Sequence, residues 1–503
     1  MKPSLATLRR TWPWIVLVAA SFLFRLPALE HAAGMNSDVA VVGLQALHLL
    51  RGEHAAFLWG SGYQTAVDSY VAAGWFALRG ATPMVLRLSA LAGHVALTGL
   101  CFATVRRHVR DEVTALVLVG PLVLSPWVVH CFALYPPRQA SLTLAMLAVF
   151  LLDRAELASR PLARLGAGAA VAGLAVFADP YALVFLPAAG LLALGASWGK
   201  PLRACAARLA AAAAGAAVGA LPYLWLVHRA DASHGVYSMT QGVLEHNLGL
   251  LRDPCGPWVL GTRILAPNAE GTYVPWPAPL AAGVVQWAGA GAVLALGVGA
   301  ALLLANKRVA APTRRLGGAG LVTALGTFGG FLTSQMVMDK YSTRYLAAMV
   351  LVLPLWLTPA AVLLRRRFAL ALAPFVASCA LCGWLGFSRM SERPEDLARF
   401  EQALQAEGVS NAVADYWAAY RLTWLTHERV MVMPWHESQD RYPAYREAYR
   451  RAPAVAYLFD HIHSDEDREH RLAQILQPGD LRLRRRFTVS GIDVAVLDRV
   501  PAP

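Results

Sequence analysis

The sequence predicts a polytopic α-helical membrane protein of about eleven transmembrane helices, with a soluble extracytoplasmic α/β domain at its C-terminal end. Three observations predict it. Of 503 residues, 57% are hydrophobic and only 15% charged, where a soluble chain carries about a quarter charged. Apolar runs recur at close to the length, around twenty residues, that crosses a bilayer. After residue 388 the pattern changes: charge becomes frequent, and short stretches of alternating or helical periodicity replace the runs.

The expected spans fall near 12–29, 84–105, 113–132, 139–153, 164–178, 181–198, 205–228, 279–304, 316–337, 344–364 and 368–388. The first is long for a signal peptide and is followed by many others, so it reads as an uncleaved anchor. Basic residues cluster in alternate loops: Lys2/Arg9/Arg10, Arg106/Arg107/Arg110, Arg154/Arg160/Arg164, Lys200/Arg203/Arg208, Lys307/Arg308/Arg314/Arg315 and Arg365/Arg366/Arg367. With this span count all of them face one side, the positive-inside pattern, which places the N-terminus in the cytoplasm of a multi-pass protein of the cell's inner (plasma) membrane. The opposite, periplasmic side receives a loop at 30–83, a second at 229–278, and everything after 388. The domain reading is therefore 1–388 as the membrane domain with its two outer loops, and 389–503 as the soluble domain. The net charge of +13 belongs to these loops and does not imply nucleic acid. The cysteines lie mostly inside apolar runs and form no disulfide framework; Cys379 and Cys382 read as small packing residues of a helix.

Within the terminal segment, 395–407 and 442–451 have helical periodicity. The stretches 412–416, 430–433 and 454–459 read as strands. Two alternating stretches, 481–489 and 492–497, meet at Ser490-Gly491, a hairpin signal.

The first outer loop opens with Met35-Asn36-Ser37-Asp38-Val39-Ala40. An amphipathic stretch ending Leu49-Leu50-Arg51-Gly52-Glu53 follows, then Trp59-Gly60-Ser61-Gly62-Tyr63, Asp68-Ser69-Tyr70, and Leu86-Arg87-Leu88 at the head of the second span. Much later, Arg344-Tyr345-Leu346 opens another span. An acidic motif, a glycine–tyrosine turn and an acid before a tyrosine, in this order, resemble the GT-C superfamily of integral membrane glycosyltransferases. The branch with protein O-mannosyltransferases and aminoarabinose transferases (glycosyltransferase family 39-like) is the nearest in pattern. The chain differs from many of these in having Val39 where they carry a glutamate, and Ala178-Asp179-Pro180-Tyr181 where aminoarabinose transferases often show a lysine.

The resemblance implies a GT-C fold and transfer of a sugar from a polyprenyl-phosphate donor to a lipid, glycan or protein acceptor on the outer face, among membrane lipids. It further implies that Asp38 is the base of a single inverting displacement. Such a reaction needs a group to take the acceptor's proton and donors or positive charge for the departing phosphate. A carboxylate that only caps the helix starting near Val39 is the alternative for Asp38, although Asn36 and Ser37 could cap it equally well. Tyr63 belongs to the implied substrate site, and Asp68 is a candidate for acceptor binding. Asp179 lies between two apolar spans, where an ionisable group is costly unless paired or hydrated. For the phosphate the candidates are Arg344, whose guanidinium offers a fork of donors, Lys340 beside it, and Arg138 after Pro136-Pro137.

No cofactor and no metal site is expected. The alternative, a divalent metal, would draw on His228, His234, Glu245, His246 and Asp253, whose spacings match no standard pattern. Trp258, Tyr273 and Trp276 in the same loop are expected at headgroup depth. The competing function is a multi-span transporter or flippase, which would show paired Gly/Pro-broken helices; a further one is a degenerate scaffold of the same fold.

Overall fold

In the computed structural model the described residues are 5–126, 129, 132–227, 239–262, 265–267, 273–275, 280–387, 397–459 and 464–500. Among them, eight helices are long and apolar enough to cross a membrane, from Pro83–His108 to Arg366–Trp384, and Thr11–Leu23, Glu112–Val123 and Gln139–Asp153 are shorter apolar helices. Together these follow the expected order of spans. The expected span at 113–132 is cut short: its helix stops at Val123, with Ser125-Pro126 just beyond. A proline disfavours helical backbone in the residue before it. The helix that begins at Gln139 follows Pro136-Pro137.

The chain divides into two compact units. One comprises 1–28, 88–266 and 274–389; the other joins 29–87 and 267–273 to 390–503. The first outer loop thus belongs, by its contacts, with the terminal segment.

The first unit is a helical bundle whose core includes Phe102, Leu118, Met146, Leu152, Phe331, Leu351 and Phe368. In lipid there is no hydrophobic gain from pressing apolar helices together, so close approach through small residues does the packing. Helices Pro161–Ala178 and Leu202–Val227 show this: a Cβ on Gly215 or Gly219 would collide with the backbone carbonyls of Gly166 and Ala170. Polar groups inside the bundle are tied to backbone. Arg25, fully buried, donates to the carbonyls of Ser21, Val123 and Leu122 at 3.0, 2.9 and 3.1 Å and to the Ser125 hydroxyl at 2.8 Å. Asn247 donates to the carbonyls of Phe331, Leu332 and Ser334 at 2.9–3.0 Å.

The second unit is built on a five-stranded sheet: β1 Asn411–Ala414, β2 Met431–Pro434, β3 Ala454–Phe459, β4 Leu481–Val489 and β5 Ile492–Arg499, in the order β2-β1-β3-β5-β4. β1 runs parallel to β2 and β3; β5 is antiparallel to β3 and β4. The register sets Ala412 beside Val432 and Ala456, and Ala456 beside Val496. Strand alternation then gives the sheet two apolar faces. One carries Ala412, Val432, Ala456 and Val496 against Phe400, Leu404 and Leu422 of helices Leu397–Ala406 and Tyr416–Leu425. The other carries Val455, Phe459 and Leu497 against Tyr449 and Leu472 of helices Pro443–Arg451 and Asp465–Leu476. The hairpin turns at Ser490-Gly491, both with positive φ, as its sequence predicts. The helices over 416–425 and 465–476 escape the sequence reading. On the loop side, helices Ser37–Leu50 and Val67–Arg79 meet the buried Trp424: Phe76 stacks on it with ring centroids 5.5 Å apart, and a Cβ on Gly43 would press into its ring.

Candidate active site

Asp38 stands in the first turn of helix Ser37–Leu50 and does not cap it. Asn36 does: its side-chain oxygen accepts the Val39 N–H at 3.1 Å. The half-buried Asp38 carboxylate instead accepts a hydrogen bond from the Tyr416 hydroxyl at 2.6 Å. Tyr416 is buried, and its phenol is pushed well above the ordinary range by that burial and then by the Asp38 charge, so it remains a donor. The Arg441 Nε–H donates to the same phenolic oxygen at 3.1 Å. Burial works against the Arg441 charge, but Tyr416 and Asp38 outweigh it and hold its pKa above the ordinary value. A second terminus of the guanidinium donates to the carbonyl of Gly60 at 2.7 Å. Gly60 has φ +64° and no space for a Cβ beside the Arg441 backbone, so the glycine of the Trp59-Gly60 motif is required twice over. Ser37 Oγ donates to the Tyr416 carbonyl and accepts the Tyr420 N–H at 3.1 Å.

Further along the same helix a second set of charges gathers around His48. His48 Nε2 lies 2.7 Å from Glu428 and Nδ1 lies 2.9 Å from Glu53. Arg51 pairs with Glu428, and the Tyr445 and Tyr442 hydroxyls donate to Glu428 at 2.7 Å and Glu53 at 2.8 Å. Burial opposes charge on His48, but the two carboxylates prevail and raise its pKa. Glu428, opposed likewise by burial, is drawn down to about 2 by His48, Tyr445 and Arg51. Trp59 stacks on Tyr442 at 4.1 Å.

Of the remaining loop candidates, Asp68 is buried in helix Val67–Arg79 and Tyr63 is exposed.

The membrane unit brings together three of the other predicted residues. Arg138, directly before helix Gln139–Asp153, holds φ +74°, a left-handed conformation uncommon outside glycine that recurs at functional sites. Its Nε lies 3.0 Å from the buried Asp179 carboxylate. Its guanidinium faces the rings of Tyr181 and Tyr345, 5.3 and 5.2 Å from their centroids. Arg344 lies over the same Tyr345 ring at 5.2 Å. Tyr181 locks the assembly: its hydroxyl donates to the Tyr345 carbonyl at 2.8 Å and accepts the Ala348 N–H at 3.2 Å. Asp179 also caps the short helix Pro180–Phe185 through the Tyr181 N–H at 2.8 Å, so it is at once an ion-pair partner and a helix cap. Lys340 opens the 3-10 helix Lys340–Leu346, capped by Asp339, and faces the ring of Tyr341 at 5.3 Å. Two guanidiniums sharing one ring beside one carboxylate make a locus suited to an anion with several oxygens.

In the second outer loop Glu245 and His246 lie on helix Gln241–Leu250. His228, His234 and Trp276 lie outside the described residues, and Tyr273 sits in a short strand of which only the backbone is described. Among the described residues no three His, Cys, Asp or Glu come together as metal ligands do. Trp258 is a correction: it is 1% exposed, a core residue rather than a headgroup anchor, because the turn Gly256–Val259 folds it inward. Sequence reasoning misses Arg441 entirely. Nor does the sequence carry any signal that the Tyr416 hydroxyl reaches Asp38.

No family profile matches the sequence, and no curated protein does. Solved structures do. ArnT from Cupriavidus metallidurans, bound to undecaprenyl phosphate, superposes over 97% of this chain and 98% of its own, with a TM-score of 0.57 and 12% identity. The fold is that of ArnT. A second ArnT structure, in the apo state, aligns over 98% of both chains with a TM-score of 0.49 and 13% identity. The ArnT-like architecture spans both units, the membrane helices and the terminal sheet alike, as the ordered motifs of the loops imply.

Proposed function

We propose that this protein is a membrane glycosyltransferase that moves a sugar from a polyprenyl-phosphate carrier to a lipid, glycan or protein acceptor. The observation that carries the reading is the whole-chain likeness to ArnT, a protein captured with undecaprenyl phosphate. Arg138 and Arg344, gathered around Tyr345, would receive the phosphate and stabilise the charge that develops as the glycosidic bond breaks. Asp38 would take the proton from the attacking acceptor, giving inversion in one displacement. That Asn36 supplies the helix cap frees Asp38 for this role. Asp179 would hold Arg138 in place, and Lys340 would add positive charge beside Arg344. Asp68 and Tyr63 would help receive the acceptor. The reaction so written needs no metal.

In this reading the protein is a multi-pass protein of the inner membrane, with the N-terminus in the cytoplasm and residues 30–83 and 389–503 on the opposite side. Reporter fusions at 110, 250 and 480 test that orientation; a cytoplasmic signal at 480 defeats it. The activity is tested by incubating the purified full-length protein with a panel of radiolabelled polyprenyl-phosphate sugars and membrane acceptors. Label leaving the carrier only with active protein supports transfer. Label crossing a bilayer still attached to its carrier would point to a flippase instead.

A further inference from the structure

The proposed base is held by Tyr416 of the terminal segment, which Arg441 holds in turn. Tyr416 begins helix Tyr416–Leu425, whose cap is Asp415, accepting the Trp417 N–H at 2.9 Å. Ser37 pins that helix end by donating a hydrogen bond to the Tyr416 carbonyl and accepting one from the Tyr420 N–H. The neighbouring residue, Asp38, then meets the Tyr416 hydroxyl at 2.6 Å. Arg441 is fixed just as firmly. Its backbone N–H donates to the buried Tyr420 hydroxyl, its guanidinium reaches the Gly60 carbonyl at 2.7 Å, and Nε–H reaches the Tyr416 oxygen at 3.1 Å. Asp440, next to it, is engaged by Arg446 at 2.6 and 2.8 Å.

We infer that Tyr416 and Arg441 are positioning residues for Asp38, so that the terminal segment completes the catalytic centre. The inference rests on Asp38 being the base. Donation from Arg441 polarises the Tyr416 O–H, and the polarised hydroxyl binds one carboxylate oxygen more tightly than a lone phenol would. The carboxylate plane is thereby fixed. A base fixed in rotation presents a defined lone pair to the acceptor, and misplacement of a reacting group by a fraction of an ångström is costly in rate. No proton passes through the relay: Tyr416 keeps its own, which its raised phenol pKa favours, and the acceptor's proton goes to Asp38.

The test uses the full-length protein. Tyr416→Phe keeps the ring and removes the hydroxyl. Asp38→Asn identifies the infrared carboxylate band belonging to Asp38. Tyr457→Phe, which removes a hydroxyl paired with Tyr449 on the same sheet, controls for damage to the domain. The expected result is a shift of the Asp38 band in Tyr416→Phe and no shift in Tyr457→Phe. Turnover should fall about ten-fold in Tyr416→Phe at unchanged donor KM, since an interaction that serves the transition state is lost, and Arg441→Lys should retain more turnover than Arg441→Gln. An unmoved band in Tyr416→Phe overturns the inference, as does equal damage from Tyr457→Phe or faster turnover in Tyr416→Phe. Transfer that survives Asp38→Asn overturns instead the reading on which the inference rests. The band is read without substrate, so it decides the contact whichever donor the enzyme uses.

Discussion

The two clusters of predicted site residues are built on opposite plans. In the membrane unit, Arg138 and Arg344 lie against tyrosine faces with one carboxylate, Asp179, among them. In the other unit, the Asp38 carboxylate is held by a hydroxyl that a guanidinium in turn holds, and a second group of acids and bases surrounds His48 nearby. The contrast follows from solvent. Within lipid a charge is expensive, so those described in the bundle are tied to carbonyls, as Arg25 is, or paired with acids, as Arg107 is with Asp153 and Arg138 with Asp179. Outside it, charges are cheap and serve mainly to join segments distant in sequence.

The largest expected effect tests the acidic cluster. Asp38→Asn should lower transfer by about a hundred-fold or more, the worth of a general base, with folding intact because Asn36 makes the cap. Near-parental turnover would reduce Asp38 to a structural acid like its neighbours. Next comes the basic cluster. Arg344→Ala should cost about a hundred-fold in use of the lipid-linked donor, and Arg344→Lys less, since lysine keeps the charge and loses the fork. If both variants match the parent, Arg344 does not serve the phosphate, and the two regions differ less in function.

Stability offers a sharper form of the contrast. Gly219→Leu should destabilise the membrane unit by about 1–3 kcal/mol or more, because the facing backbone of Ala170 leaves no room. Thermal melting in detergent measures it; an unchanged midpoint would mean that the helices Pro161–Ala178 and Leu202–Val227 do not depend on close approach.

A pH dependence is expected in the second unit. His48 has a raised pKa in the fold, so its contribution is complete below the ordinary value of 6.5 and is lost as pH rises through the higher folded value. Glu428, lowered from 4.5 to about 2, contributes fully above 4.5 and loses that contribution as pH falls toward 2. Between about 4.5 and 6.5 both act together. Hydrogen exchange at residues 48–60 should therefore slow in that window and quicken above it, and His48→Gln should abolish the alkaline change. The smallest effect is expected from Arg484→Ala. Arg484 is an exposed strand residue paired with Asp498, and such surface pairs contribute little; melting and transfer should both stay at parental values.

The terminal arginines 482, 484 and 486 illustrate what a linear pattern conveys. Their alternation predicts one face of a strand; β4 leaves all three exposed, but a bulge at Arg484 breaks the alternation, so that Arg482 stands opposite Asp498 and Arg486 opposite Ala495. The strand at Ala454–Phe459 and the hairpin at Ser490-Gly491 are equally legible, since period-two alternation and turn chemistry are local properties. Helix Tyr416–Leu425 is not, because its apolar residues face the sheet on one side and loop helices on another, which blurs the periodicity that marks a one-sided helix.

By itself the sequence determined the class of protein, the order of its spans and the residues most in need of explanation. Those depend on composition and on free energies of transfer into lipid, which add residue by residue along the chain. It also brought Asp38, Arg138, Asp179 and Arg344 forward, because an acid after a first span and a cation at a helix head stand out against apolar surroundings. Tertiary structure alone decided that Arg138, Asp179 and Arg344 share one tyrosine-lined locus, and that residues 378 and 403 positions beyond Asp38 hold its carboxylate through Tyr416 and Arg441. No local pattern encodes such a pairing. A hydrogen bond between distant segments depends on where the whole chain places two atoms to within a few tenths of an ångström, and only the packed fold sets that distance.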